Sequence, residues 1–350
     1  MDFNVHDHAG MWVGIIENPT SAIWVPRYQK PGDFELYFPA SAEMLALLAD
    51  DFLITRDDAP EAMIVEHIEI ITSAEEGNYL LVSGRSAGSI IGRRIIQEQT
   101  VLTGRVDAAV HRLIRENAIS PADPARALPL TMRAPDVSTA TASAQYTGTN
   151  LLEAVEEICK AYGLGFRCVG DATEEGIALR FELLRGLDRS EGQEENSPVI
   201  FSAEYENLLS SSYVMDTTNY KNVAIVAGEG EGKARKRAIY GSASGMNRRE
   251  IFVDARDLST NEGEIGADEY EAQLVARGAE KVAEHALSEA FDGVMDTGNT
   301  YILGDDYALG DIVTVENEYG IRKNVRISAI KEIWDAEGYT VEPIFENVEV

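Results

Sequence analysis

Cysteine is nearly absent from this chain, with two in 350 residues. That is too few for the disulfide framework of a small secreted domain. Long apolar runs are missing too. None approaches the roughly 20 residues of a membrane span, so no transmembrane helix is expected. Basic residues are scarce, 30 against 60 acidic ones, for a formal charge of −30. Such a surface repels nucleic acid and anionic membrane, and it opposes dense self-assembly unless the charge is neutralised locally. The opening MDFNVHDHAG has no basic n-region and no apolar h-region, so a secretory signal is not expected and the cytoplasm is the default compartment. What is present is substantial. An apolar content of 45% excludes a disordered polymer. A chain of 350 residues has room for two or three domains with cores of their own.

The fold class expected is α+β, predominantly β, in three units. Residues 1–103 read as antiparallel strands. MWVGIIEN, AIWVPRYQ and FELYFPA are separated by PTS and PGD turns, as in consecutive hairpins. A short helix follows at SAEMLALLAD with Ser41 as N-cap. MIVEHIEIITS and YLLVSGR then flank the loop AEEGN. In the first of these Ile64, Glu66, Ile68 and Ile70 oppose Val65, His67, Glu69 and Ile71; neither face is clean, which implies partial burial.

Residues 104–200 change to α/β. Val106, Ala109, Val110, Leu113 and Ile114 form one helical stripe. The proline-rich SPADPARALPLTMRAP reads as an exposed boundary. A second helix starts near Asn150, with Glu153 three residues on. Its stripe is Leu151, Val155, Ile158, Cys159 and Tyr162, and Gly163 is a natural stop. GFRCV and IALRFELL are strands, and DRSEGQEENSP is a solvated loop. Residues 201–350 return to β through PVIFSA, SSSYVMD and NVAIVAG. A helical insertion at about 266–292 places Tyr270, Leu274, Gly278, Val282 and Ala286 at four-residue spacing. Four or five short strands with GDD, NEYG and DAEG turns close the chain, and no repeat of fixed period is visible.

Two stretches imitate catalytic loops. VAGEGEGKARKR follows a strand as a phosphate-binding loop does. Counting back from Gly232 and Lys233, however, puts Ala227 where the first glycine belongs, and Ala234 stands where magnesium needs a hydroxyl. Glu229 and Glu231 would sit among the amides meant for phosphate, so a glycine-rich hairpin tip is the better reading. Its unexplained part is Lys233, Arg235, Lys236 and Arg237, a basic knot in an acidic chain. Gly84, Ser86 and Gly88 satisfy G-x-S-x-G. The histidines after Ser86 are His111, on the polar side of its helix, and His285, beside an apolar stripe, and neither is presented as a triad base. The strands ahead of Ser86 are antiparallel hairpins, unlike a hydrolase sheet. His6, Asp7 and His8 read as a mobile tail rather than a metal site. Cys159 and Cys168 read as buried thiols facing one core, with a disulfide open only if the geometry allows. Asp305 and Asp306 lack the spacing of a calcium loop. No catalytic, cofactor or metal residue is therefore assigned.

Five stretches in order, NLLEAVEEICKAYGLGFR, PVIFSAEYENLLSSSYVMD, YKNVAIVAGEGEG, REIFVDARDLS and DYALGDIVTV, carry a resemblance that GDFELYFPAS and LLVSGRS extend to the N-terminus. Together they resemble the siphovirus ReqiPepy-type structural family, tail-hub proteins of phages and prophages, similar in turn to the baseplate hub of contractile-tailed phages. The resemblance implies tube-like β-barrel domains and a homotrimeric ring between tail tube and tail tip. DNA would pass its lumen without specific binding. It further implies a virion protein made in the bacterial cytoplasm, beside a tail tube or distal tail protein and tip or fibre proteins. No enzyme activity, nucleotide, cofactor or membrane segment is expected. The basic knot is the candidate subunit interface. Two rivals are a tail-associated hydrolase built on Gly84–Gly88 and a host carbohydrate-binding module. The second needs clustered exposed aromatics, whereas Trp12, Trp24 and Trp334 are scattered through strand patterns.

Overall fold

Turn residues cut the first third into short runs, and each run forms a strand. The computed structural model describes residues 1–73, 77–295 and 300–348. In chain order the first elements are β1 (Asp2–His6), β2 (Trp12–Glu17), β3 (Ser21–Val25), β4 (Asp33–Pro39), α1 (Ala42–Ala46), β5 (Leu53–Arg56), β6 (Ala59–Ser73) and β7 (Gly77–Ser86). Ser41 caps α1 as expected, its hydroxyl accepting from the Met44 amide at 3.0 Å. Residues 74–76 of the AEEGN loop lie outside the described residues. The mixed pattern of β6 has a concrete cause. Ala62 and Ile64 enter one core while Met63 and Val65 enter another. Beyond Glu66 the strand runs out largely exposed. The HDH stretch is not a mobile tail. His6 closes β1, 4% exposed, with Nε2 3.0 Å from Thr55 Oγ1, because β1 is paired on both sides, to β2 and β5.

The middle third holds a 3-10 turn (Ala87–Arg93), β8 (Thr100–Arg105), α2 (Val106–Ile114), β9 (Leu130–Met132), β10 (Thr141–Tyr146), α3 (Leu151–Ala161), β11 (Gly165–Ala172) and β12 (Ile177–Leu184). The α2 stripe is buried throughout. Asn150 caps α3 by accepting from the Leu152 amide at 2.9 Å, and Gly163 ends it at φ +63°. The proline-rich connector is more than an exposed boundary. Leu130–Met132 pairs in parallel with β12, and Leu130 is buried. Cys159 and Cys168 are buried free thiols, and burial pushes both well above the usual range. No disulfide joins them.

The last third contains β13 (Ile200–Ser202), β14 (Leu208–Asp216), β15 (Val223–Ala227), β16 (Arg237–Tyr240), β17 (Glu250–Asp254), α4 (Ala267–Ala283), β18 (Ser288–Met295), β19 (Ile312–Glu316), β20 (Arg322–Asp335) and β21 (Gly338–Asn347). Two expectations are corrected here. The helix ends at Ala283, and Ser288–Met295 becomes a strand on β14. Glu289 and Ala290 carry on the helix-favouring composition of the preceding segment, but strand pairing overrides that preference. The closing region forms three strands rather than four or five, because β20 and β21 run for 14 and 10 residues.

One sheet joins both ends of the chain, in the order β14-β18-β21-β20-β3-β4-β7-β6, continuing through β5 and β1 to β2. From β6 it branches to β11, β12 and β9. The crossover is β3 against β20, with Ile23 opposite Ile333. Tyr28, fully buried, fastens the middle unit here: its hydroxyl meets the carbonyls of Gly163 and Leu184 at 3.2 Å and the Gly186 amide at 3.0 Å. Mostly β with four α-helices among the described residues is thus the fold. Among the described residues no run of pairs returns to its starting strand, so the sheet is open. A small separate unit, β16-β15-β17, is covered on one face by α4.

Candidate functional site

The glycine-rich stretch is the tip of the β15–β16 hairpin. The Gly228 amide donates to Lys236 O at 2.9 Å and the Lys236 amide to Glu229 O at 3.0 Å. Gly228 is required by packing, since a Cβ there would lie 2.1 Å from the Tyr270 hydroxyl of α4. Gly230 and Gly232 have φ of +96° and +55°, the left-handed region that suits glycine. The Glu229 amide donates to Tyr270 Oη at 2.8 Å, so the amides of Gly228 and Glu229 are already committed. A phosphate cradle needs such amides free.

The four basic residues divide. Arg235 turns inward, its Nε donating to Gly228 O at 2.9 Å and its Nη2 to Ala227 O at 2.6 Å and to the Asp254 carboxylate. Its guanidinium lies 5.9 Å from the Phe252 ring centre. Arg235 therefore clamps the hairpin to β17 and is not offered to a neighbour. Lys233, Lys236 and Arg237 stay exposed, with no ion pair among the described residues. Next to them, the sheet face away from α4 carries an apolar row, Ile239–Ile225–Phe252, whose outer members are more than half exposed. Sequence pattern gave the hairpin; the clamp, between residues 19 apart in the chain, had no local signal.

Ser86 is 2% exposed, and its hydroxyl accepts from the Gly32 amide at 3.2 Å. It also bonds the buried Glu61, whose carboxyl burial pushes up to about 8. Neither His111 nor His285 bonds it: His285 Nδ1 sits 3.0 Å from Lys281 O. Gly84 answers to a β6 bulge, where a Cβ would lie 2.0 Å from Ile64 O. The G-x-S-x-G match is thus a packing junction. Asp306 accepts from the Ile302 amide at 2.8 Å within a turn. Among the described residues no cluster of His, Cys, Asp and Glu is arranged to hold a metal. Of the tryptophans, Trp24 is buried, Trp334 stacks on Tyr339 at 4.9 Å, and Trp12 stands exposed beside a cleft of about 880 Å3.

Two buried ionic clusters escaped sequence reading. At the β3–β20 crossover Arg56 binds Glu332 at 2.8 Å and Asp58 at 2.9 Å, and Tyr339 donates to Glu332 at 2.7 Å. Arg56 also stacks 4.4 Å from the Trp334 ring centre. The hydrogen bond and charge of Arg56 hold the Asp58 carboxyl below its usual range. The second cluster joins α4 to α3 and β10. Lys281 meets Glu157 at 3.0 Å, Arg277 donates to Gln145 O at 2.7 Å, and Tyr146 donates to Glu280 at 3.3 Å. Burial pushes the Glu280 carboxyl up to about 7, against the opposing pull of Arg277.

An open, strand-rich sheet with small appended α/β units is the fold of phage tail proteins. The 43 kDa tail protein of prophage MuSo2 from Shewanella oneidensis aligns with TM-score 0.60 at 11% identity, covering 99% of this chain and 98% of that one. A tail protein from Neisseria meningitidis MC58 aligns with TM-score 0.59 at 13% identity, covering 99% and 96%. Prophage tail protein gp18 from Listeria monocytogenes EGD-e gives 0.56 at 13%, covering 99% and 95%. At such identities the likeness is one of fold. No curated protein matches the chain in sequence. The model of the siphovirus ReqiPepy6 Gp37-like proteins matches residues 2–345, and the chain belongs to that family.

Proposed function

We propose that the chain is the structural hub subunit of a phage or prophage tail. Three copies form a ring between tail tube and tail tip, and DNA passes through the lumen. The observation that carries this reading is the family match over residues 2–345. Residues 1–103 and 201–350 would supply the tube wall, since one sheet joins them, and residues 104–200 an outer insertion. The barrel is then a property of the assembled ring, closed between copies. A charge of −30 suits a conduit, because excess carboxylate does not grip phosphate. Lys233, Lys236 and Arg237 remain as a docking patch for acidic neighbours; Arg235 leaves that set. The protein has a mechanical part rather than a catalytic one. It is made in the host cytoplasm and ends in the virion, against tube or distal tail proteins and tip or fibre proteins. Gold-labelled antibody on particles tests this: label confined to the tail end is expected, and particles free of label would overturn it.

A further inference from the structure

Among the described residues the branched sheet that joins the two ends of the chain ends in β14, β2 and the three-residue strands β9 and β13, so β14 and β2 are its long edge strands. Among the described residues β14 pairs only with β18. Among the same residues strand β2 pairs only with β1, apart from its start, where Met11 bridges Gly176 and the Trp12 amide donates to Glu175 O. Its outer edge is therefore free from Val13 to Glu17. Exposed edges invite pairing with another chain, and proteins commonly protect them with lysine, proline or inward charge. Neither edge has that protection. Met11–Ile16 and Leu208–Met215 contain no charged residue and no proline, in a chain of net charge −30. Both also expose large apolar side chains: Trp12 is 54% exposed, Val214 53% and Met215 57%.

We propose that β2 of one copy adds antiparallel to β14 of the next, which closes the ring. This rests on the ring reading above and names its interface. The occupant is a second copy because two uncharged strips are where protomers this acidic meet without opposing like charges. Orientation follows from the same side chains. Antiparallel addition sets Trp12 and Val13 against Met215 and Val214, apolar to apolar. It also puts Glu17 and Asp216, the one charge on each strand, at opposite ends. Parallel addition with the strand ends aligned would bring those two carboxylates side by side, Glu17 against Asp216. In the antiparallel register Gly14 faces Tyr213 and Ile15 faces Ser212. A heterologous contact of this kind, repeated around an axis, closes a cyclic oligomer.

The test is Ile15→Cys with Ser212→Cys in the full chain, treated with a short bismaleimide. The native thiols, Cys159 and Cys168, are buried and serve as the internal blank. Covalent dimers and trimers are expected from the double variant and not from either single one. A double variant that is trimeric by mass yet does not cross-link would overturn the edge pairing and leave the ring intact. A protein monomeric at every concentration would remove both. Val214→Lys gives an independent arm: trimer affinity should fall at least tenfold with the monomer's melting temperature unchanged, and a trimer as tight as the parent's would equally overturn the pairing.

Discussion

The two buried seams of this protein use the same residue types and are finished differently. Where β3 meets β20, Arg56 lies between Glu332 and Asp58 and under Trp334, with Tyr339 completing the carboxylate. Where α4 meets α3 and β10, charge is also present, but the buried amides of Gln145 and Gln273 and one oxygen of Glu280 find no protein hydrogen-bond partner. Buried polar groups without partners are costly, and native folds mostly avoid them. The difference teaches that ion pairs alone do not make a seam permanent. At the sheet crossover every charged group is paired and, among the described residues, only the Trp24 indole N–H is left without a partner, whereas the α4 junction leaves two amides and a carboxylate oxygen unspent.

Breaking the crossover seam should cost most. Glu332→Ala leaves the Arg56 guanidinium buried beside a single, mostly exposed partner and is expected to destabilise by about 3–5 kcal/mol. Its counterpart at the α4 seam, Glu157→Ala, loses a partly solvated pair worth about 1 kcal/mol or less. Urea unfolding of both variants reads the contrast; equal losses would erase it.

Acidity sharpens the comparison next. The folded chain keeps protons on Glu61 up to about 8 and on Glu280 up to about 7, whereas their ordinary value is 4.5. The native state therefore binds more protons than the unfolded one between those limits, and these groups lower stability as pH rises through that window. Glu280→Gln should remove the part of the decline that ends near 7, and Glu61→Gln the part that runs to about 8. Melting curves from pH 4.5 to 8.5 check both, and a Glu280→Gln slope equal to the parent's would contradict the account of the α4 seam.

The hairpin gives the smaller effects. Arg235→Ala strips the clamp from two carbonyls and Asp254, a loss of about 1–3 kcal/mol confined to the α4 unit. Lys233→Ala or Arg237→Ala touches no internal partner and should stay within about 0.5 kcal/mol. Hydrogen exchange across β15–β17 separates them, because only Arg235→Ala should raise exchange there.

Local pattern made much of this fold legible. The α2 and α3 stripes, the Ser41 and Asn150 caps and the GEGEG hairpin all depend on residues within a few positions of one another. Strand β18 was hidden because it follows the α4 helix within a few residues without a strong break, and only pairing with β14 marks it as a strand. The Arg56–Glu332 pair spans 276 positions, so nothing near either residue announces it. Ser86 could be set aside as a nucleophile from the string alone, for want of a base, but its actual place could not be read there. Its spacing matched a catalytic elbow, while burial and the Glu61 contact, invisible in the string, make it a packing junction.

The ring is the central claim, and its mass is the direct test. Light scattering of the purified chain should be recorded across a salt series at one concentration. The Debye length falls from about 30 Å at 0.01 M to about 8 Å at 0.15 M, so repulsion between copies of charge −30 weakens steeply over that range. A population leaning to monomer at low salt and moving to trimer as salt rises is the expected result; a monomer at every salt and every concentration would contradict it.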